Sequence, residues 1–205
     1  PIEVVTADSM QFYRGLDIGT AKPSRTERDA VPHHLIDSMD IWEPSDVFRF
    51  VKDAEAAIAD ILRRGRRPVV VGGSGLYLFA LAYGPDSLPA GPALRPARGR
   101  KYDSHDGFPA LLDFMRIHCP LAYERFRKCR RRLIRACEVY RLSGRQISEL
   151  QTGPRSPDPR FAQFLLSWPR ETLVRRIALR TEDMLRAGWI DEARIMLAKG
   201  LLKTP

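Results

Sequence analysis

Two short β-branched segments, separated by one long amphipathic segment, constrain the fold of this chain more than any other feature. The two segments are IEVVTA (residues 2–7) and RPVVVGG (residues 67–73), and runs of this kind bounded by polar residues or glycine predict buried strands. Residues 45–65 between them carry apolar side chains at helical spacing, with Ser45 as the candidate N-cap and Gly65 as the stop. Strand, helix and strand in this order predict a parallel βαβ unit.

A third apolar run and two further helical segments continue this alternation. FAQFLLSW (residues 161–168) has the length and composition of a buried strand. Residues 169–188 and 189–200 repeat apolar side chains at helical spacing, and each segment ends in glycine. The pattern therefore predicts the α/β class, with a parallel sheet as the core.

The α/β pattern is interrupted after residue 83. Residues 83–100 are rich in proline and glycine, which excludes a regular element of the sheet. The pattern from residue 108 to residue 140 is helical, and its apolar stripe consists of Phe126, Cys129, Leu133, Ala136 and Tyr140. We therefore expect a helical insertion at about 87–128, between α/β core segments at 1–86 and 129–205.

Positive charge is concentrated in one part of the chain. The formal net charge is +9, yet residues 1–90 carry ten basic and thirteen acidic side chains, whereas residues 120–145 carry nine basic and two acidic ones. Arg127, Arg131 and Arg135 are spaced by four residues, which predicts three guanidinium groups on one helix face. Such a patch suits a polyphosphate partner such as nucleic acid, while a merely solvated helix face is the alternative.

Polar side chains follow the first predicted strand. Asp8, Ser9 and Gln11 lie just beyond IEVVT, and ligands of parallel α/β sheets gather at the carboxyl ends of the strands. Asp8 could act as a general base or a magnesium ligand, and Gln11 could read a base edge. The alternative for Asp8 is a cap of the turn after the strand.

A glycine-rich turn follows the second predicted strand. In VVVGGSGLY, Gly72, Gly73 and Gly75 would let the backbone approach a ligand closely, and Ser74 offers a hydroxyl and an amide. A glycine turn between a strand and a helix is also common without any ligand. The 205 residues contain no G-x-x-x-x-G-K-[ST] phosphate-binding loop.

Other polar residues favour structural roles. The histidines of VPHHLID have no further ligand at metal spacing, so we expect hydrogen bonding there, and we expect the three cysteines to be reduced thiols. Lys22 and Arg14 could meet phosphate or face water. No stretch approaches the roughly 18–20 apolar residues that a membrane helix needs, and no leader pattern is present, so we expect a cytoplasmic protein without membrane contact. We also expect a monomer.

Five ordered segments together resemble one known family. They are ADSMQFYRGLDIGTAKP, VPHHLID, VGGSGLYL, RRRLIRACEVYRLSGRQISELQ and RRIALRTEDMLRAGWIDEA. In this order they resemble the tRNA dimethylallyltransferases, also called tRNA isopentenyltransferases. The resemblance implies a P-loop NTPase-like parallel sheet core with a tRNA-binding helical insertion. It also implies transfer of a dimethylallyl group, from Mg²⁺-bound dimethylallyl diphosphate to N6 of the adenosine 3′-adjacent to the anticodon.

The resemblance assigns roles to individual residues. Asp8 matches the general base that takes the N6 proton, and Ser74 stands where the family usually has a catalytic threonine. Arg176 and Arg180 match arginines that face the diphosphate, and no metal ligand is assigned within the chain. The residues implied to contact tRNA are Asp8, Ser9, Met10, Gln11, Arg131, Arg132, Leu133, Ile134 and Arg135.

The resemblance also leaves alternatives open. It places the family's phosphate-binding loop before Ile2 and continues its pattern beyond Pro205, so we expect the 205 residues to be truncated at both ends and not to transfer a prenyl group by themselves. A catalytically inactive tRNA-binding remnant and an adenylate isopentenyltransferase are the two main alternatives, and a nucleotide kinase is a more distant one. The basic insertion favours tRNA over a free nucleotide.

Overall fold

The computed structural model describes residues 1–86, 88–89, 102, 107–151 and 156–201. The chain forms two compact units, Pro1–Pro85 with Pro157–Pro205 and, separately, Asp86–Ser156. The elements in chain order are β1 (Ile2–Thr6), α1 (Arg25–Ala30), β2 (His33–His34), α2 (Val47–Arg63), β3 (Arg67–Val71), α3 (Gly75–Tyr83), α4 (Gly107–His118), α5 (Pro120–Phe126), α6 (Arg130–Ser143), α7 (Ile147–Leu150), α8 (Arg170–Arg186) and α9 (Trp189–Ala198).

Three parallel strands form the sheet of the first unit. Their order is β2-β1-β3, so β1 is central. Val5 lies opposite His34 on one side and opposite Val70 on the other. The two predicted strands and their parallel pairing across a helical crossover are confirmed, but β3 is only partly buried, contrary to the prediction. Strand β2 is too short to produce a strand pattern in the sequence.

Helix α2 buries one face against this sheet. Phe50, Ala54, Ile58 and Ile61 recur at helical spacing and are all buried. The ring of Phe50 stacks on that of Tyr77 with centroids 4.6 Å apart, so aromatic rings join α2 to α3. The N-cap is Asp46, whose side chain accepts from the Arg49 amide at 2.9 Å, one residue later than the predicted Ser45.

The second unit is helical, and its second boundary differs from the predicted one. Its core contains the fully buried residues Leu111, Met115, Leu133, Cys137 and Val139. The last three of these belong to α6, so α6 packs with α4 in this unit instead of returning to the sheet. Residues 129–156 therefore belong with the helical insertion, because the apolar stripe of α6 is buried there. Most of the proline- and glycine-rich segment lies outside the described residues.

The third predicted strand is not formed. Residues 161–168 have no strand pairing in the described part of the chain, and the side chains of Phe164, Leu165 and Leu166 are almost fully exposed. Only Phe161 packs against the core of the first unit. An apolar run becomes a strand only where another strand pairs with it, and the described residues supply none beside this run.

Helices α8 and α9 follow, as the sequence predicts. Helix α8 buries none of its side chains, whereas α9 buries Met196. Within the described ranges, no helix combines the length and the apolar character that crossing a membrane requires.

Candidate active site at the carboxyl edge of the sheet

Asp8 lies directly beyond β1, where the chain turns away from the sheet. Its Oδ1 accepts from the Met10 amide at 2.8 Å and more weakly from the Gln11 amide at 3.4 Å. The capping role considered from the sequence is therefore present. Oδ2 of Asp8 has no protein partner among the described residues, so one carboxylate oxygen stays available to accept a proton.

Ser74 of the glycine-rich turn contacts the polar residues that follow β1. Its Oγ accepts from the Ser9 amide at 3.1 Å, and its own amide donates to the Ala7 carbonyl at 3.3 Å. Ser74 occupies the N-cap position of α3, yet its side chain makes no capping hydrogen bond. Because Oγ accepts from Ser9, the hydroxyl proton remains free to donate to a substrate oxygen.

Gly72 allows the two strand ends to approach each other. A Cβ at this position would overlap the carbonyl oxygen of Ala7 and lie 2.8 Å from the Cα of Ala7. A Cβ at Gly73 or Gly75 would meet nothing within 4 Å. The sequence suggests that these glycines let the backbone approach a ligand. At Gly72, however, glycine is needed because the backbone of Ala7 leaves no room for a Cβ.

Gln11 fixes the loop that follows the Asp8 turn. Its Nε2 donates to the carbonyl of Thr20 at 3.0 Å and to that of Ala21 at 3.2 Å. The side-chain donor that could read a base edge is therefore engaged by the protein. Met10 is about half exposed beside it, and Ser9 is partly exposed.

Lys22 is buried, contrary to the expectation that it meets phosphate or water. Its side chain is 2% exposed, and its Nζ contacts Asp37 at 2.6 Å, Asp17 at 2.8 Å and the Tyr13 carbonyl at 2.6 Å. Burial works to raise the pKa of Asp37, but the hydrogen bonds from Lys22 and Arg28 outweigh it and lower that pKa. Lys22 therefore holds the loop together, and Arg14 pairs with Asp40 at the surface.

Glu192 of α9 is a site residue that the sequence patterns do not reveal. Its carboxylate accepts from the amides of Asp17, Ile18 and Gly19 at 2.6, 2.7 and 3.0 Å. The segment that contains Glu192 is one of the five family-like motifs. No local rule, however, connects a helical glutamate with a loop more than 170 residues earlier.

Arg176 and Arg180 line a cleft of the first unit. The cleft has a volume of about 740 Å³, and its wall combines arginines with the apolar side chains of Leu173, Ile177 and Met184. Arg176 stacks on the ring of Trp168 at 4.6 Å, whereas Arg180 has no partner in the described part of the chain. Arg28 also lines the cleft, but Asp8 and Ser74 do not.

The predicted tRNA-contacting segment of α6 is divided between surface and core. Arg131 and Arg132 are exposed, and Ile134 is half-buried. Leu133 is fully buried in the helical core, so its side chain cannot reach a ligand. Arg135 pairs with the buried Glu138 at 2.7 Å, so it does not share an open basic face with Arg131 as the spacing predicted.

His33 and His34 make the hydrogen bonds expected from the sequence. His34 Nε2 contacts Glu3 at 2.6 Å, and His33 Nδ1 contacts the Val31 carbonyl at 2.7 Å, which confirms hydrogen bonding. All three cysteines are free thiols, and burial raises the pKa of Cys119 to about 11. The described residues contain no group of three or more His, Cys, Asp or Glu that could hold a metal ion.

A family model and curated relatives both match most of this chain. The family model described as IPP transferase matches residues 11–205. The tRNA dimethylallyltransferase of Deinococcus radiodurans is 44% identical over 194 residues, which cover 94% of this chain and 62% of that protein. The enzyme of the same name from Kocuria rhizophila is 42% identical, with 99% of this chain and 64% of that protein covered. The chain thus spans slightly less than two thirds of these relatives.

Solved structures agree with the sequence comparison. The full-length tRNA isopentenylpyrophosphate transferase of Bacillus halodurans has a TM-score of 0.63 and 35% identity, and the match covers 98% of this chain and 63% of that one. A eukaryotic dimethylallyltransferase acting on tRNA has a TM-score of 0.67 and 26% identity, with 99% and 51% covered. These neighbours have a P-loop NTPase-like fold, so the predicted fold class is confirmed. The chain belongs to the IPP transferase family.

Proposed function

We propose that this protein transfers a dimethylallyl group from dimethylallyl diphosphate to N6 of the adenosine 3′-adjacent to the anticodon of tRNA. The observation that carries the proposal is the meeting of Asp8 and Ser74 at the carboxyl edge of the sheet, joined through the Ser9 amide. Relatives that are more than 40% identical to this chain over the aligned residues bear the name tRNA dimethylallyltransferase. Family and site therefore support the same chemistry.

In the proposed reaction, Asp8 accepts a proton and Ser74 donates a hydrogen bond. The N6 nitrogen attacks the allylic C1 carbon, a C–N bond forms, and the C1–O bond to the diphosphate breaks. Asp8 takes the proton that N6 loses, on Oδ2, while Oδ1 stays held by the Met10 amide. The Ser74 hydroxyl donates to an oxygen of the diphosphate, where negative charge develops.

The arginine cleft suits the diphosphate substrate. We assign the diphosphate to Arg176 and Arg180, and the dimethylallyl group to the apolar side chains beside them. The carbonyl of Ala21 accepts from Gln11, and Ala21 lines the cleft. The loop at residues 15–22 therefore links the wall of the cleft to the Asp8 turn. In the proposed reaction, C1 of the substrate has to reach the nitrogen that attacks beside Asp8.

Mg²⁺ fits this chain only as an ion that arrives with the substrate. It keeps several waters and binds through one or two carboxylates together with substrate phosphates. The described residues offer no multi-residue metal cluster, and we assign Mg²⁺ no protein ligand, because the unpaired oxygen of Asp8 has to accept the N6 proton. When bound, the ion would neutralise charge on the leaving diphosphate.

For tRNA we assign four side chains that are exposed or partly exposed. These are Ser9 and Met10 beside Asp8, and Arg131 and Arg132 on the helical unit. Gln11 and Arg135 retain positioning roles, because both are engaged within the protein. The cytoplasmic location and the monomeric state stay predictions from the sequence.

Label transfer to defined acceptors tests the proposal. Residues 1–205, preceded by the family's phosphate-binding loop, are incubated with Mg²⁺, labelled dimethylallyl diphosphate and one of three acceptors: a tRNA transcript, the same transcript with guanosine 3′ of the anticodon, or adenosine monophosphate. The proposal predicts label in the first acceptor alone, recovered as N6-modified adenosine. Label in the mononucleotide alone would identify an adenylate isopentenyltransferase, and binding of tRNA without any transfer would identify an inactive remnant.

A further inference from the structure

We propose that Glu192 of α9 is a positioning residue that orients the Asp8 turn through the loop at residues 15–22. The inference rests on the proposed function, because it assigns Glu192 to the same active site. Glu192 touches no reacting group itself. Its effect is transmitted by a series of hydrogen bonds that joins the carboxylate to the loop, and the loop to the residues after Asp8.

The Glu192 carboxylate binds three successive backbone amides of the loop. Oε2 accepts from the amides of Asp17 and Ile18 at 2.6 and 2.7 Å, and Oε1 accepts from the Gly19 amide at 3.0 Å. Three successive backbone N–H groups that converge on one anion form a nest, which favours a negative charge. Hydrogen bonds to a charged acceptor are stronger than neutral ones, so this carboxylate fixes the backbone at residues 17–19.

Two further residues of α9 pack against the same loop. A Cβ at Gly19 would overlap the indole of Trp189, and a Cβ at Gly15 would lie 3.3 Å from Sδ of Met196. Trp189, Glu192 and Met196 are spaced by three and four residues, so they share one face of α9. This face of the helix therefore serves as a support for the loop, and the loop glycines are needed for the close approach.

The loop in turn holds the residues beside Asp8. Gln11 donates to the carbonyls of Thr20 and Ala21, which directly follow the three amides bound by Glu192. The Gln11 and Met10 amides donate to Oδ1 of Asp8. Loss of the Glu192 carboxylate would leave three amides without their acceptor, and the loop would have to rearrange to satisfy them. A shift of about 1 Å at a catalytic group is enough to lower a rate by about 10²-fold.

The test compares two Glu192 variants with a matched control on the same helix. Glu192→Ala removes both acceptor oxygens, and Glu192→Gln keeps one acceptor oxygen but turns an NH₂ group toward an amide. Asp191→Ala removes a neighbouring carboxylate that, among the described residues, contacts only the exposed Arg194. We expect kcat to fall about 10- to 100-fold in Glu192→Ala, less in Glu192→Gln, and less than twofold in Asp191→Ala, with KM for tRNA unchanged within about twofold.

Amide hydrogen exchange separates positioning from a general loss of structure. Glu192→Ala should accelerate exchange at residues 17–19 and also at Met10 and Gln11, which Glu192 does not touch, while α2 keeps its protection. Normal kcat in Glu192→Ala, unchanged exchange at Met10 and Gln11, or equally faster exchange throughout the chain would each overturn the inference. If the unmodified protein transfers no label, the proposed function fails, and the catalytic role of Glu192 fails with it. If the unmodified protein and Glu192→Ala transfer equally fast, only the inference fails.

Discussion

At the scale of single residues, a buried carboxylate secures the end of the sheet opposite the active site. Glu3 in β1 is 1% exposed and contacts His34 of β2 together with Arg64 and Arg66, which follow α2. The hydrogen bond from Arg64 is the largest cause that lowers the pKa of Glu3 to about 2, against the opposing effect of burial and with help from His34. Glu3 thus connects the central strand to β2 and to the turn between α2 and β3.

The lowered pKa of Glu3 predicts a defined loss of stability in acid. A carboxylate whose pKa is lower in the folded state contributes its full stabilisation above the unfolded value of 4.5, and loses it as the pH falls from there toward about 2. We expect Glu3→Gln to lower the melting temperature at pH 7. The difference from the unmodified protein should shrink between pH 5 and pH 3.

Asp29→Asn provides the control for Glu3. Asp29 is an exposed carboxylate paired with Arg25, and exposed pairs contribute little to stability. The melting temperature of this variant should stay close to that of the unmodified protein at every pH. A Glu3→Gln difference that does not depend on pH would show that the charge of Glu3 is not what stabilises the fold.

Gly72 provides the second test at this scale. Gly72→Ala should destabilise the protein by about 2–3 kcal/mol, because its Cβ would overlap the Ala7 carbonyl and separate the two strand ends. Gly73→Ala is the matched control and should change stability by less than about 0.5 kcal/mol, since its Cβ meets nothing. Urea unfolding measures both effects. Equal values for the two variants would contradict the close approach at Gly72.

At the scale of elements, the packing of α9 against the loop at residues 15–22 links two distant parts of the chain. Gly19→Ala should destabilise the protein by about 1–3 kcal/mol, because the new methyl group meets the indole of Trp189. In a Trp189→Leu background the same change should cost less than half as much. A double-mutant cycle in urea gives the coupling, and a coupling of zero would mean that α9 does not pack on Gly19.

The sequence predicts some elements of this fold and misses others. Strand β1, helix α2 and strand β3 are predictable, because β1 and β3 are short β-branched runs bounded by polar residues or glycine and α2 repeats apolar side chains at helical spacing. Residues 161–168 have strand composition but pair with no strand in the part of the chain that the structure describes, since pairing depends on a neighbour that composition does not reveal. Asp8 and Ser74 were placed correctly at one edge by the parallel sheet rule, but Glu192 was not, because tertiary packing alone joins α9 to the loop.

At the scale of the whole molecule, the two compact units are assigned different tasks. The sheet unit contains the Asp8 edge and the arginine cleft, and the helical unit carries the exposed Arg131 and Arg132. The basic charge identified in the sequence is therefore only partly available to a ligand. Arg135, which the spacing placed on the same face, pairs instead with the buried Glu138.

This division predicts that neighbouring arginines of α6 behave differently. Replacing Arg131 and Arg132 with alanine should weaken tRNA binding and reduce the slope of log affinity against log salt by about one for each phosphate that the protein no longer neutralises. Arg135→Ala should instead lower the melting temperature and leave the salt slope unchanged, because it removes a cationic partner of the buried Glu138. The opposite pattern, with only Arg135 affecting the slope, would refute the assignment.

The most direct test of the account is the rate of prenyl transfer by Asp8→Asn, compared with Asp8→Ala, each in residues 1–205 preceded by the family's phosphate-binding loop. Asparagine keeps an oxygen that can accept from the Met10 amide, so the turn is preserved while the group that takes the proton is removed. We predict a single-turnover rate that is lower by roughly 10²–10⁴ in Asp8→Asn, with affinities for tRNA and dimethylallyl diphosphate nearly unchanged. A normal rate in Asp8→Asn together with a loss of folding or tRNA affinity in Asp8→Ala would contradict the account, because Asp8 would then be only the cap of its turn.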